Sequence, residues 1–144
     1  QLLQKKMYTC EVSVNVSNFS EQTLTYWFVL TDRAGKTAES KHLSLAVDLT
    51  EPEITNEEHY WEQGTEENNK YIYFSLAIDE ENFGEVRIYD TSDVRAKWKK
   101  ICSQLVNGMC TKKVGFNSGH HEVDIEVRDT AGNAIARHIS FDVN

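Results

Sequence analysis

The chain is poor in the residues that break or cross-link structure. It has one proline, seven glycines, two methionines and three cysteines in 144 residues. A single proline beside 10% aromatic and 40% apolar residues argues against a disordered tail and leaves material for a small core. No apolar run approaches the roughly 20 residues of a membrane-spanning helix. Cationic side chains are also short, 15 Lys and Arg against 23 Asp and Glu, for a formal net charge of −8 and a pI near 5.1. Sequence-independent nucleic-acid binding and docking on anionic lipid both need a basic footprint, so neither is expected. The acidic surface suits divalent cations or basic partners. The first residue is Gln1, with no signal peptide after it. The sequence therefore reads as a piece of something longer, and the missing leader says nothing of the parent's address. There is no P-loop, GxGxxG, Ser/His/Asp set or zinc-type Cys/His spacing. Acidic residues are abundant but sit on turns, and no enzymatic activity is expected.

What is present is alternation with period two, the mark of half-buried strands. It runs through Val12, Val14 and Val16; through the more continuously apolar 23–32; and through Leu43, Leu45, Val47 and Leu49. After Pro52 it restarts. An edge strand is expected near 52–61, then strands at 71–79, 85–90, 109–117, 121–129 and 134–143, with a further segment near 95–101. The phase of the last strand slips near Arg137, where a bulge would restore it. Segment 92–105 places Val94, Trp98, Ile101 and Leu105 at helical spacing, so a short helical turn or irregular crossing is expected there; a strand plus a loop is the alternative. Turn chemistry at Gly64, Gly84, Asn107-Gly108, Asn117 to Gly119 and Ala131 to Asn133 separates the runs. Many short strands at this spacing describe an all-β sandwich.

The sequence also repeats itself. Asp32-Arg33-Ala34-Gly35-Lys36 and Asp129-Thr130-Ala131-Gly132-Asn133 each stand between two strands, 97 residues apart, and Cys10 and Cys110 each head the strand before. That spacing is the length of one immunoglobulin-like domain. The motifs "VRDTAGN" and "AVDLTEPEI", with the hairpin "CSQLVNGMC", resemble the tandem immunoglobulin-like repeats of bacterial and archaeal surface proteins. The resemblance covers nearly the whole chain, although Lys36 replaces the usual asparagine in the first copy. It implies an all-β immunoglobulin-like β-sandwich. Residues 1–50 would be the C-terminal strands of an incomplete domain and 51–144 a complete one. The Asp-x-Ala-Gly-Asn turn has a purely conformational explanation as well, because Asp accepts N–H groups of its own turn and Gly and Asn tolerate positive φ.

Several side chains are candidates for chemistry. Cys102 and Cys110 flank a loop containing Asn107-Gly108 and can face each other, so a disulfide is expected, with free thiols as the alternative. Two Cys are too few for a metal centre. By the repeat, Cys10 would pair with a cysteine at or just upstream of Gln1. The sequons at Asn15 and Asn18 fit glycan attachment in an exported protein. If the sandwich order holds, Asp48, Glu51, Asp79, Glu81, Asp129 and Asn133 converge at the pole where the chain enters. That set suits Ca²⁺, which takes six to eight oxygens; a solvated acidic rim is the alternative, and no other cofactor is expected. His120-His121 is placed at a turn, and His42 and His138 on matching final strands. Trp61 and Tyr71 could offer a sugar-stacking platform or fill core and edge positions. Trp27 and Trp98 read as core or inter-domain packing.

Together these readings describe a structural or interaction segment of an extracellular, cell-surface protein: a stalk, surface layer, adhesin or filament subunit. The alternative is a non-catalytic glycan- or ligand-binding module of a secreted enzyme or adhesin. Residues 1–50 supply too few strands to close a sandwich. Their expected partners are therefore neighbouring domains or copies of the chain, by strand addition.

Overall fold

Alternation becomes strand where a neighbouring segment takes the backbone hydrogen bonds. The computed structural model describes residues 9–144. Apart from one 3-10 turn at Glu66–Asn68, the regular elements described are all strands, and every pairing is antiparallel. The chain divides into two compact units, Gln1–Asp48 and Leu49–Asn144.

In the first unit, β1 (Gln22–Tyr26) pairs with β4 (Leu43–Val47), and β2 (Val29–Thr31) with β3 (Thr37–Glu39). The strand expected over 23–32 is thus interrupted at Trp27-Phe28. Those two residues lie opposite three, Ser40 to His42, which makes a one-residue bulge. Ser40 bridges it: Phe28 N donates to Ser40 Oγ at 2.8 Å, and Ser40 N donates to the Phe28 carbonyl at 2.9 Å. The alternation at 10–17 does not form a strand. Asn15 Oδ1 accepts Ser17 N at 2.9 Å and Phe19 N reaches the Val16 carbonyl at 3.0 Å, so the segment turns instead. Val12 and Val14 stay largely exposed. Period two offers an apolar face, but a strand also needs a partner edge, and none pairs with it among the described residues.

The second unit holds two sheets. One carries β5 (Glu53–Ile54) and β6 (Trp61–Gln63) on one side of β7 (Tyr71–Asp79), with β10 (Met109–Gly115) on the other. The expected edge strand over 52–61 is therefore two short pieces. The other sheet runs β12 (Ala134–Val143), β11 (Gly119–Asp129), β8 (Phe83–Asp90), β9 (Lys99–Cys102). Their inward residues share one core. Ile72, Phe74, Leu76 and Ile78 come from β7, Val86 and Ile88 from β8, Val123, Ile125 and Val127 from β11, and Ile139, Phe141 and Val143 from β12. Each such side chain, fully buried, contributes about 1.5–3 kcal/mol.

Two local expectations change. Segment 92–105 is turns followed by β9, because edge pairing with β8 (Val86 with Cys102, Ile88 with Lys99) captures it; Val94, on the supposed helical face, is fully exposed. No bulge occurs at Arg137. The β11–β12 register runs unbroken from Gly119↔Val143 to Arg128↔Ala134, and the shift falls between Arg128 and Asp129 on the β8 side. Arg137 stays in phase with Ile135 and Ile139 and turns its guanidinium onto the Glu57 carboxylate, with Nε to Oε2 at 2.8 Å.

The sequence repeat is also a repeat of register. Adding 97 to the pairs Val29↔Glu39, Leu30↔Ala38 and Thr31↔Thr37 gives Glu126↔Ala136, Val127↔Ile135 and Arg128↔Ala134, all three paired in the second hairpin. Beyond the bulge the first hairpin runs one residue out of step: Leu24↔Leu45 corresponds to 121 and 142, whereas His121 pairs with Phe141.

Candidate functional site

The repeated turns set the local geometry at one end of each hairpin. Asp32 Oδ1 accepts Ala34 N and Lys36 N, both at 2.8 Å, and Asp32 N donates to the Lys36 carbonyl at 2.9 Å. Asp129 Oδ1 accepts Gly132 N at 2.6 Å and Asn133 N at 2.8 Å, and Asp129 N donates to the Asn133 carbonyl at 3.1 Å. The first turn adds a backbone bond, Gly35 N to the Asp32 carbonyl at 3.1 Å, and the second a side-chain bond, Asn133 Nδ2 donating to Asp129 Oδ2 at 2.6 Å. This is what the asparagine does and Lys36 does not. Gly35 (φ 79°) and Gly132 (φ 103°) supply the left-handed step.

In the second unit the β7–β8 and β11–β12 connections meet, as expected. Thr130 N donates to the Asn82 carbonyl at 2.8 Å. A Cβ on Gly84 would stand 2.7 Å from the Asp129 carbonyl oxygen, so only glycine allows this approach. Asp129 is 6% exposed, and its carboxylate accepts three donors of its own turn. Turn formation accounts for that buried charge. Asp79 lies on β7 opposite Glu53, and Glu51 and Glu81 are exposed. Asp48 belongs to the first unit, the other five residues of the expected calcium set to the second.

Cys102 and Cys110 form the disulfide, with Cα atoms 5.9 Å apart. The bond joins β9 to β10 and so ties one sheet to the other. Cys10 is an exposed free thiol, and its expected partner lies outside the described residues. Asn15 and Asn18 are both exposed.

Trp61 and Tyr71 stand on opposite faces of their sheet. Trp61 is opposite the buried Phe74 and packs toward the core, 6.2 Å from Phe141. Tyr71 shares the outward phase of Tyr73 and lies under Lys113, whose Nζ is 3.8 Å from the ring centroid. They cannot stack on one sugar. Trp27 is half exposed and packs on His42 at 4.4 Å. Trp98, read as core or packing, is partly exposed and sandwiched with Arg87 (4.3 Å) and Tyr89 (5.3 Å).

Sequence reasoning missed a cleft of about 520 Å³ in the second unit, lined by Asp90, Asp93, Arg95, Trp98, Phe116 and His121 among others. His121 is fixed by its Nδ1 contact with Asp90 Oδ2 at 2.6 Å and by the Asn117 carbonyl at 2.9 Å. Its ring stacks on Phe141 at 5.3 Å. Aromatic rings beside both charge signs, in a groove of ligand size, can hold a small polar molecule. The residues come from separate turns at 90–98 and 115–121, so only tertiary pairing reveals the groove. Comparison of the chain with protein-family models gives no match, and comparison with curated proteins gives none either.

Proposed function

We propose that the chain is a structural, non-catalytic segment of an extracellular surface protein built from tandem immunoglobulin-like sandwiches. It would serve as part of a stalk, surface layer, adhesin or filament. The observation that carries this reading is the closing hairpin, repeated 97 residues on with the same turn and, beside the turn, the same register. The two four-stranded sheets of the second unit, one of them with β5 and β6 sharing a position beside β7, suit such a sandwich. The Cys102–Cys110 disulfide and the two exposed sequons support export. In the first unit Phe28, Val29, Leu30, Leu43 and Leu45 are exposed on two-stranded pairings. Such pairings are marginal alone, so the partners are strands of a neighbouring repeat or of another copy.

Sedimentation over a range of concentrations tests this. The chain should associate, and residues 49–144 alone should stay monomeric. The cleft beside Trp98 favours a second reading, a glycan-binding module. A chain that is monomeric throughout, yet retained on a glycan column in a way that Trp98→Ala abolishes without a change in melting, would replace the first reading with the second.

A further inference from the structure

The cleft between the end of β8 and the start of β11 is walled by a turn that its own carboxylates hold together. Asp90 Oδ1 accepts Ser92 N at 3.1 Å, Asp93 Oδ1 accepts Arg95 N at 2.8 Å, and Ala96 N returns to the Asp93 carbonyl at 2.9 Å. Thr91 N donates to the Glu122 carbonyl at 2.7 Å and Ser92 Oγ accepts Glu122 N at 2.9 Å, which fastens the turn to β11. Asp90 Oδ2 is engaged by His121, and His120, also in the lining, has its ring nitrogens on Glu122 and Asp142. These carboxylates and imidazoles are committed to the protein. The cations are not. Arg95, Lys97 and Lys99 line the same cleft and are exposed, and none of them forms an ion pair among the described residues. Elsewhere on that sheet Arg87, Arg128 and Lys100 are each paired with Glu126 or Glu85. The side chains of Asn117 and Ser118, also in the lining, make no hydrogen bond among the described residues.

We propose that this cleft binds an acidic saccharide, a sugar that carries carboxylate or sulfate. The inference rests on the glycan-binding reading of the cleft and names the ligand class. In a chain of net charge −8, three unpaired cations on one rim draw an anion to this place rather than to the rest of the surface. The Arg95 guanidinium presents a planar fork that matches two oxygens of a carboxylate or sulfate, and the two lysines add point charges beside it. The free amide of Asn117 and hydroxyl of Ser118 are the partners that ring hydroxyls need, each able to donate and to accept. Trp98, 40% exposed, adds apolar surface of the kind that packs on the C–H face of a sugar. The cleft, about 520 Å³, is of the size that holds small ligands. An anion without hydroxyls would use the cations and leave Asn117 and Ser118 idle; a neutral sugar would do the reverse. The structural alternative is that Lys97 and Lys99 only guard an edge, since β9 is the last strand of its sheet and lysines there discourage a further strand.

Calorimetric titration of the whole chain with an oligogalacturonate, a heparin-derived oligosaccharide and a neutral malto-oligosaccharide separates these. One equivalent of an acidic oligosaccharide should bind, and the neutral one should not. Binding of the first alone assigns carboxylate, of the second alone sulfate, and either supports the proposal. Arg95→Gln with Lys97→Gln should weaken binding about tenfold or more. Asn117→Ala should weaken it about threefold or more, a loss that a merely charged rim does not produce. Lys112→Gln with Lys113→Gln removes the same charge on the other sheet and should leave binding unchanged. Melting curves verify that each variant folds. Acidic binding that survives the Arg95 and Lys97 changes is general attraction to cations and overturns the proposal. Binding of the neutral oligosaccharide as tight as that of the acidic ones also overturns it, while keeping the glycan-binding reading. Absence of heat with all three removes both and leaves the lysines as edge guards.

Discussion

The two hairpins, 22–47 and 119–143, share a turn and part of a register, yet differ in everything that packing decides. Position for position, the first carries Phe28 and Leu30 where the second carries Ile125 and Val127. Phe28 is 49% exposed and Ile125 0%. The first hairpin bulges at Ser40 to His42, while the second runs straight past Arg137, the position 97 residues after Ser40. The difference lies in the neighbours. Strand β11 is held by β8 along its other edge and faces a second sheet, so its register is fixed on both sides. The pairings of the first hairpin have no third strand among the described residues. Local sequence determines the turn; register and burial follow from what the hairpin is packed against.

The comparison can be broken most strongly in the core. Ile125→Ala should destabilise the second unit by about 2–5 kcal/mol in chemical denaturation, and Phe28→Ala should leave that transition unmoved. Equal effects would mean that the hairpins are packed alike. Next comes the disulfide. Reducing Cys102–Cys110 should lower the stability of the second unit by about 2–3 kcal/mol, with amide exchange in 22–47 unchanged. A smaller change is expected at the turns. Asn133→Lys, which copies the first turn, removes the Nδ2 bond to Asp129 and should cost about 1 kcal/mol. It should be read as faster exchange of the Gly132 and Asn133 amides, while Lys36→Asn should slow exchange in the first turn. The smallest effect concerns Arg137. Its hydrogen bonds hold the Glu57 carboxyl below the ordinary carboxylate range. A depressed folded value contributes stability above the unfolded value, and that stability is lost as pH falls through the folded one. The pair is partly exposed, so the gain is well under 1 kcal/mol. Glu57→Gln should lower the melting temperature slightly at neutral pH, and the difference from the parent should vanish as pH falls through the folded value, which flattens the acid limb.

Much of the second unit was legible in the sequence because its strands alternate and its turns carry Gly and Asn. The strands at 71–79 and 134–143 have the expected bounds, and their apolar phases form the core. Alternation alone misled at 10–17, where the Asn15 turn prevails and no partner strand pairs with it among the described residues. Helical spacing misled at 92–105, where β8 offers an open edge. Arg137 looked like a slipped phase because an arginine stands at an inward position; Glu57, 80 residues away, resolves it. The candidate site was the least legible. Asp90 and His121 are separated by 31 positions and meet only through the pairing of their strands. Asp129, read as a candidate ion ligand, also accepts three donors of its own turn, and the turn reading was open in the residues from the start.

The bond between Cys102 and Cys110 has a mechanical consequence. If the second unit is stretched from its ends, the segment between these cysteines stays closed and is withheld from the unravelled length. Eight residues of separation shorten the fully extended thread by roughly 20 Å. The two sheets also remain tethered after their side chains part, so a strained copy keeps a covalent corner from which to re-form.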